Sequence, residues 1–314
     1  MTSRGGENHL PHQPVLYHQI IHAIQPQRGQ KFVDGTVGAG GHAWGLLKHS
    51  SPDGLLLGLD VDPQAIGLAE ERLAEFGARS VLVRASHTTL LAQLEQLGWE
   101  QVDGIVLDLG ASSMQFDSPE RGFSFLRDGP LDMRFDPSKP LTAADVVNSW
   151  DQRSLADVLY KYGEERRSRH VAQAIVRARP VESTQQLAEI VAEVVGNPPG
   201  SRLHPATRTF QALRIVVNRE LEAIETTLPQ AVEALAPGGR LAVIAFHSLE
   251  DRIVKLAFRS FSQDLRDESH PMAPVIRPAV ARLVQRKPIL PTEDEIEQNP
   301  RARSAKLRVL EKLT

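Results

Sequence analysis

Four short apolar runs, residues 31–33, 55–59, 81–83 and 105–107, are separated by stretches with helical spacing. That alternation, more than any other feature, narrows the folds open to the chain. Strands buried on both faces read as continuous apolar runs, and parallel strands need long crossovers between them. Residues 63–76 supply one crossover, with Ile66, Leu68, Ala69, Leu73 and Phe76 near helical spacing. Residues 88–97 supply another, with Leu90, Leu91, Leu94 and Leu97. A right-handed βαβ series built on a parallel sheet is expected.

The alternation stops after Leu109. Residues 111–140 read as loop, with Gly122, Gly129 and prolines at 119, 130, 137 and 140. Helices then take over. Asp151 can cap residues 155–162, Gly163 breaks the run, and 164–179 continues it. Ser183 or Thr184 can cap a helix whose Leu187, Ile190, Val191, Val194 and Val195 share one face before Gly196. From His204 a helical pattern runs to Ala234 and ends at Pro237-Gly238-Gly239, after which 240–246 is again a buried-strand run. The last two strands are expected at 281–285 and 306–310, with the acidic, proline-flanked stretch 291–300 looping between them. No internal repeat or low-complexity tract is visible.

The chain has 314 residues, 41% of them hydrophobic, enough for one large core or two modest ones. It has no cysteine, so thiolate metal sites, disulfides and cysteine nucleophiles are excluded, and no metal site is read. Residues 1–13 are polar and no run approaches 18 apolar residues; a cytosolic, membrane-free protein is expected. The net charge is only −3, but it is unevenly placed: residues 1–119 carry −6, 120–159 −2, 160–219 +5, 220–270 −4 and 271–314 +4. A polyanionic substrate would meet the positive helices and a cationic cofactor the negative first part.

Chemistry is first signalled at Asp34-Gly35-Thr36-Val37-Gly38-Ala39-Gly40-Gly41-His42, between the first strand and a helical run. Glycines at such a turn let the backbone approach a nucleoside or nucleotide, and Gly38, Gly40 and Ala43 match the dinucleotide pattern. Asp60, 20 residues past Gly40, is placed for ribose hydroxyls. NAD and S-adenosylmethionine both fit. Asp34 and Asp108, each at the carboxyl end of a strand, would repel a pyrophosphate and favour a sulfonium and an ammonium, so S-adenosylmethionine is preferred.

The loop Asp108-Leu109-Gly110-Ala111-Ser112-Ser113-Met114-Gln115 delivers polar groups to the same edge. An exocyclic amine of a base is a poor nucleophile, so a site there must accept its N–H hydrogens and hold the nitrogen in line with the methyl. Methylation at carbon 5 of cytosine by a cysteine nucleophile is excluded. Phe246-His247-Ser248-Leu249-Glu250-Asp251-Arg252 follows the fifth strand; His247 either orients substrate or caps the next helix. Arg202 through Gln211, with His204, Arg208 and Phe210, sets basic groups beside an aromatic, suited to phosphates and a stacked base.

With these segments in hand, the chain resembles the S-adenosylmethionine-dependent ribosomal RNA small-subunit methyltransferase H family over nearly its whole length. The resemblance rests on His12-Gln13-Pro14-Val15-Leu16, the loop 34–42, Asp60-Val61-Asp62-Pro63, the segment 107–115, Arg121-Gly122-Phe123-Ser124-Phe125 with 128–134, Tyr162-Gly163-Glu164-Glu165-Arg166, the segments 204–211 and 246–252, and Asn299-Pro300-Arg301-Ala302-Arg303-Ser304. It implies an α/β fold: a Rossmann-like class I methyltransferase sheet (1–115 and 205–314) with an inserted helical RNA-recognition domain (116–204). It implies methyl transfer from S-adenosylmethionine to N4 of a cytidine in the decoding region of small-subunit (16S) rRNA, with that RNA or the assembled small subunit as partner, and it admits a homodimer. The family's cofactor contacts fall on Gly40, Gly41, His42, Asp60, His87, Asp108 and Gln115. Members often carry Ser where Ala43 stands and Phe where His87 stands. His247 and Arg208 are the candidate substrate contacts, and no catalytic base is assigned.

Overall fold

The computed structural model describes residues 14–196, 204–266 and 275–313. His12, Gln13, Arg202 and Leu203, among the residues quoted above, lie outside them. The described residues fall into two compact units that divide after Leu109 and again after Glu225.

The first unit opens with α1 (Tyr17–Ile24), β1 (Lys31–Asp34), α2 (Gly41–His49), β2 (Leu55–Asp60), α3 (Pro63–Leu73), β3 (Ser80–Arg84), α4 (Leu90–Gln96) and β4 (Val102–Asp108). α3 starts as its sequence dictates: Asp62 accepts the Gln64 N–H at 3.0 Å and Pro63 takes the first helical position. The four strands are parallel.

The second unit, residues 110–225, is helical: α5 (Ser113–Asp117), α6 (Ala143–Ser149), α7 (Gln152–Gly163), α8 (Ser168–Arg177), α9 (Thr184–Val195) and α10 (Thr207–Asn218). Asp151 caps α7, accepting from the Arg153 and Ser154 N–H groups, and Ser183 caps α9. Leu155, Leu159, Val171, Ile175, Leu187, Val191, Phe210 and Leu213 fill its core. The chain then passes through α11 (Glu220–Ala234) to β5 (Leu235–Ala245), α12 (Ser248–Phe261), a small pair β6 (Leu265–Arg266) and β7 (Val275–Arg277), β8 (Ala281–Leu283), α13 (Glu293–Gln298) and β9 (Lys306–Lys312).

The main sheet runs β3-β2-β1-β4-β5-β9-β8, with β5 parallel to β4 and β9 antiparallel to β5. A seven-stranded sheet with one reversed strand lodged beside β5 is the arrangement the family resemblance implies. Phe32, Leu56, Val106, Ala242, Ile244, Leu307 and Val309 carry its core, with Leu46, Leu47, Ala69 and Leu73 from the covering helices. Strand order reverses between β1 and β4, which opens a crevice beyond their carboxyl ends.

Three expectations are corrected. Residues 291–300 are not all loop: Thr292 accepts the Glu295 N–H at 3.2 Å, and three acids in the first turn suit the helix dipole, so α13 forms between the two prolines. The pattern from His204 to Ala234 is two helices, because Arg219 adopts φ 51° and closes α10. The helical unit spans 110–225 rather than 116–204, since α10 buries Phe210, Ala212, Leu213 and Val217 in the helical core.

Candidate active site

The turn after β1 is tied to three strand ends. Gly35 N–H donates to Val106 O and Val37 N–H to Leu59 O, both at 2.9 Å, while Gly38 N–H donates to Asp60 Oδ2 at 3.0 Å. Thr36 joins β1 and β4: its N–H donates to Asp34 Oδ1 at 3.2 Å, and its Oγ1 accepts the Asp108 N–H at 2.6 Å. The turn ends at Gly40, whose φ of 76° suits glycine and which caps α2. Gly35 has no room for a side chain, since a Cβ there would lie 2.6 Å from Leu107 Cδ2 and 3.2 Å from His87 Cβ.

Three carboxylates therefore stand at the ends of β1, β2 and β4. Asp34 is 1% exposed; its Oδ2 has no hydrogen-bond partner among the described residues, and neither has the buried Asp108 Oδ1. Burial is the main cause that pushes Asp34 up to about 6, against the pull of nearby His42 and the Thr36 N–H and with the push of Asp108 and Asp60. Asp60 is raised too, chiefly by burial, although its two oxygens accept the Asp62 N–H at 2.9 Å and the Gly38 N–H. It thus holds the turn. His42 is 4% exposed, and neither ring nitrogen has a hydrogen-bond partner among the described residues; its Nε2 lies 3.7 Å from Asp108 Oδ2 and its ring stacks at 6.5 Å on Tyr17.

His87 begins a short turn after β3. Burial holds its ring down at about 4, so it is neutral, and Nδ1 lies 2.6 Å from Thr227 Oγ1 on α11. Buried acceptor atoms without donors are what an incoming ammonium or sulfonium satisfies, and would be costly in a site shaped for phosphate. The chemistry of this donor set fits S-adenosylmethionine.

The fold gathers Gly40, Gly41, His42, Asp60, His87 and Asp108 around the turn. Gln115 and Arg208 lie in the helical unit. Gln115 is buried in a capping box with Ser112, accepting the Ser112 N–H at 3.0 Å, and Arg208 is exposed on α10. His247 sits past the end of β5 as the cap of α12: Nδ1 accepts the Glu250 N–H at 3.4 Å, and Nε2 lies 3.1 Å from Glu250 Oε1. Sequence reasoning missed Thr36, although it stands inside the glycine motif, two residues from Asp34. It also missed Thr227, which is 140 residues from His87.

A family model described as the MraW methylase family matches residues 9–313. The chain is 49% identical over 312 residues to the ribosomal RNA small subunit methyltransferase H of Syntrophobacter fumaroxidans, covering 96% of this chain and 97% of that protein. It is 47% identical over 310 residues to the protein of the same name from Syntrophus aciditrophicus, covering 96% and 98%. Among solved structures, an rRNA methylase from Streptococcus thermophilus aligns over 96% of this chain and 98% of that one, at 12% identity and a TM-score of 0.44, too loose a likeness to bear on function. The match takes in the carboxylate crevice, the glycine turn and the helical unit alike, and the chain belongs to the MraW methylase family.

Proposed function

We propose that this protein transfers a methyl group from S-adenosylmethionine to the N4 amine of a cytidine in the decoding region of small-subunit rRNA. The observation that carries the reading is the pair of buried carboxylate oxygens, Asp34 Oδ2 and Asp108 Oδ1, with no hydrogen-bond partner among the described residues, at strand ends beside the glycine turn and the switch point of the sheet. The relatives' names, which specify small-subunit rRNA, supply the substrate class, and the lack of cysteine directs the chemistry to an amine rather than to ring carbon 5.

Gly40, Gly41, His42, Asp60, His87 and Asp108 would hold the cofactor. Bound there, S-adenosylmethionine supplies a methyl group on a positively charged sulphur. Asp34 and Asp108 accept hydrogens from its ammonium group, and Asp60 accepts from ribose. His247 and Arg208 contact the RNA, whose target base must leave its stack to reach the crevice. The amine nitrogen becomes acidic as it gains the methyl, so no base need be deprotonated before attack. Among the described residues no helix is long and apolar enough to cross a membrane, and the substrate places the enzyme with the small ribosomal subunit or its precursor RNA.

Mass mapping of methylated nucleosides in 16S RNA, with and without the protein, tests the assignment. N4-methylcytidine at one decoding-region position is expected. Its absence, or hydride transfer with NAD bound in the crevice, would overturn the reading. Asp108→Ala should abolish labelled methyl incorporation.

A further inference from the structure

The helical unit concentrates its positive charge. Residues 120–159 carry 5 basic and 7 acidic side chains, whereas 160–219 carry 10 and 5. Of the latter, Lys161, Arg166, Arg167, Arg169 and Arg208 are exposed. The fold draws them together. α7 ends at Gly163 and α8 begins at Ser168, so Glu164 to Arg167 form the turn between them. The start of α10 packs against that turn: Gln211 Nε2 donates to Tyr162 O at 3.0 Å, Arg208 Nη1 lies 3.5 Å from Glu164 O, and a Cβ on Gly163 would sit 2.6 Å from Arg208 O. Two motifs that carry the family resemblance, 162–166 and 204–211, thus meet at one place.

None of the five cations is ion-paired with a carboxylate among the described residues; Arg167 and Arg208 donate only to backbone carbonyls, and Lys161 lies 4.9 Å from the Tyr162 ring centroid. Glu165, which could have offset them, is 3% exposed and spends Oε1 on the Arg167 N–H at 2.7 Å. Asp157 and Glu164 are the exposed acids nearby in sequence. Asp157 stands four residues before Lys161 on α7, yet the segment 160–169 carries four exposed cations to one exposed acid. In the last turn of α7, Tyr160 is 67% exposed and precedes Lys161 in the chain.

We infer that this surface, at the junction of α7, α8 and α10, binds a single-stranded stretch of the RNA substrate. Lys161, Arg166, Arg167, Arg169 and Arg208 contact phosphates, and Tyr160 stacks beneath an unpaired base. Exposed cations and an exposed aromatic match the backbone charge and the base face of single-stranded RNA together. The inference rests on the RNA-methylation reading above and adds where the helical unit meets that RNA.

The test uses the full chain, a 16S RNA fragment containing the decoding region, and intact small subunits. In the triple variant Lys161→Glu, Arg166→Glu, Arg169→Glu, RNA affinity should fall ~100-fold or more at moderate salt. The slope of log affinity against log salt should flatten by about 0.7 for each phosphate that is no longer neutralised. S-adenosylhomocysteine affinity by calorimetry and the thermal unfolding midpoint should stay at wild-type values. Tyr160→Ala should weaken RNA binding by roughly 10-fold, and Tyr160→Phe should restore it. Wild-type RNA affinity and salt slope in the triple variant, with wild-type protein active, would overturn this inference alone. So would a variant that binds naked RNA normally but fails on intact subunits, because the surface would then dock a ribosomal protein. A wild-type protein that neither binds nor methylates the RNA would overturn the functional reading and this inference with it.

Discussion

At the scale of single residues, the site is held at a cost to stability. Asp34 titrates near 6 in the folded protein against 3.8 for the unperturbed group. The folded state therefore keeps that proton longer than the unfolded state, and stability falls as pH rises from about 4 to about 6. Above that range the full penalty of roughly 3 kcal/mol is present. Cofactor affinity has the opposite sign, because only the ionised carboxylate attracts the ammonium, and it should weaken as pH drops below 6. Asp34→Asn should accordingly be more stable than wild type in denaturant titrations at pH 8, by up to about 3 kcal/mol, while losing S-adenosylhomocysteine binding in calorimetry. A variant less stable than wild type at pH 8 would sink this account. His87 and Thr227 form a second testable pair, joined at 2.6 Å. Thr227→Val should cost about 1–2 kcal/mol by stranding a buried ring nitrogen. The same change on a His87→Phe background should cost clearly less, and equal costs in the two backgrounds would show the pair to be uncoupled. Asp34, Asp60 and Asp108 could be picked out in the sequence because each ends an apolar run. Thr227 could not, since it sits in an ordinary helical stretch and acquires its role only when α11 reaches the turn after β3.

Elements were readable wherever a local chemical signal marks their ends. Asp151 and Ser183 cap helices as read, and β1 to β4 differ from the apolar runs only by a few terminal residues. The signal failed where backbone conformation alone decides. Arg219 at φ 51° splits one helical pattern into two, and nothing about an arginine announces a left-handed residue. The prolines around α13 looked like breakers but bound a helix that Thr292 starts. Gly163 shows the reverse: the sequence marks it as a break, and only the structure shows why no larger residue fits. A Cβ there would meet backbone, Arg208 O at 2.6 Å and its carbon at 3.2 Å, so α7 and α10 would have to part. Gly163→Ala should destabilise the helical unit by about 1–3 kcal/mol. Hydrogen exchange should accelerate in α7 and α10 while β1 to β5 keep wild-type protection; unchanged exchange in α7 and α10 would refute the close approach.

For the whole molecule, the parallel βαβ series follows from the alternation of runs and helices, but the strand order and the limits of the helical unit do not. A helix that resumes after an insertion looks the same as one that completes it, and only the burial of Phe210, Leu213 and Val217 with Leu155, Leu159 and Val171 assigns α10 to the insertion. Each unit has its own core, and the two sets of core residues share no member. A chain built this way has two cooperative units. The residues proposed to grip the cofactor's charged groups and ribose, Asp34, Asp60 and Asp108, all belong to the α/β unit. Ligand binding stabilises the folded state it binds, by about 2.7 kcal/mol at a concentration 100-fold above Kd. Calorimetry of the ligand-free protein should therefore resolve two transitions. Saturating S-adenosylhomocysteine should raise the one whose loss coincides, by hydrogen exchange, with exposure of β1 and β4. A single transition without ligand would mean that the cores melt together, and a ligand that raised only the transition tied to α7 and α8 would place the cofactor outside the carboxylate crevice.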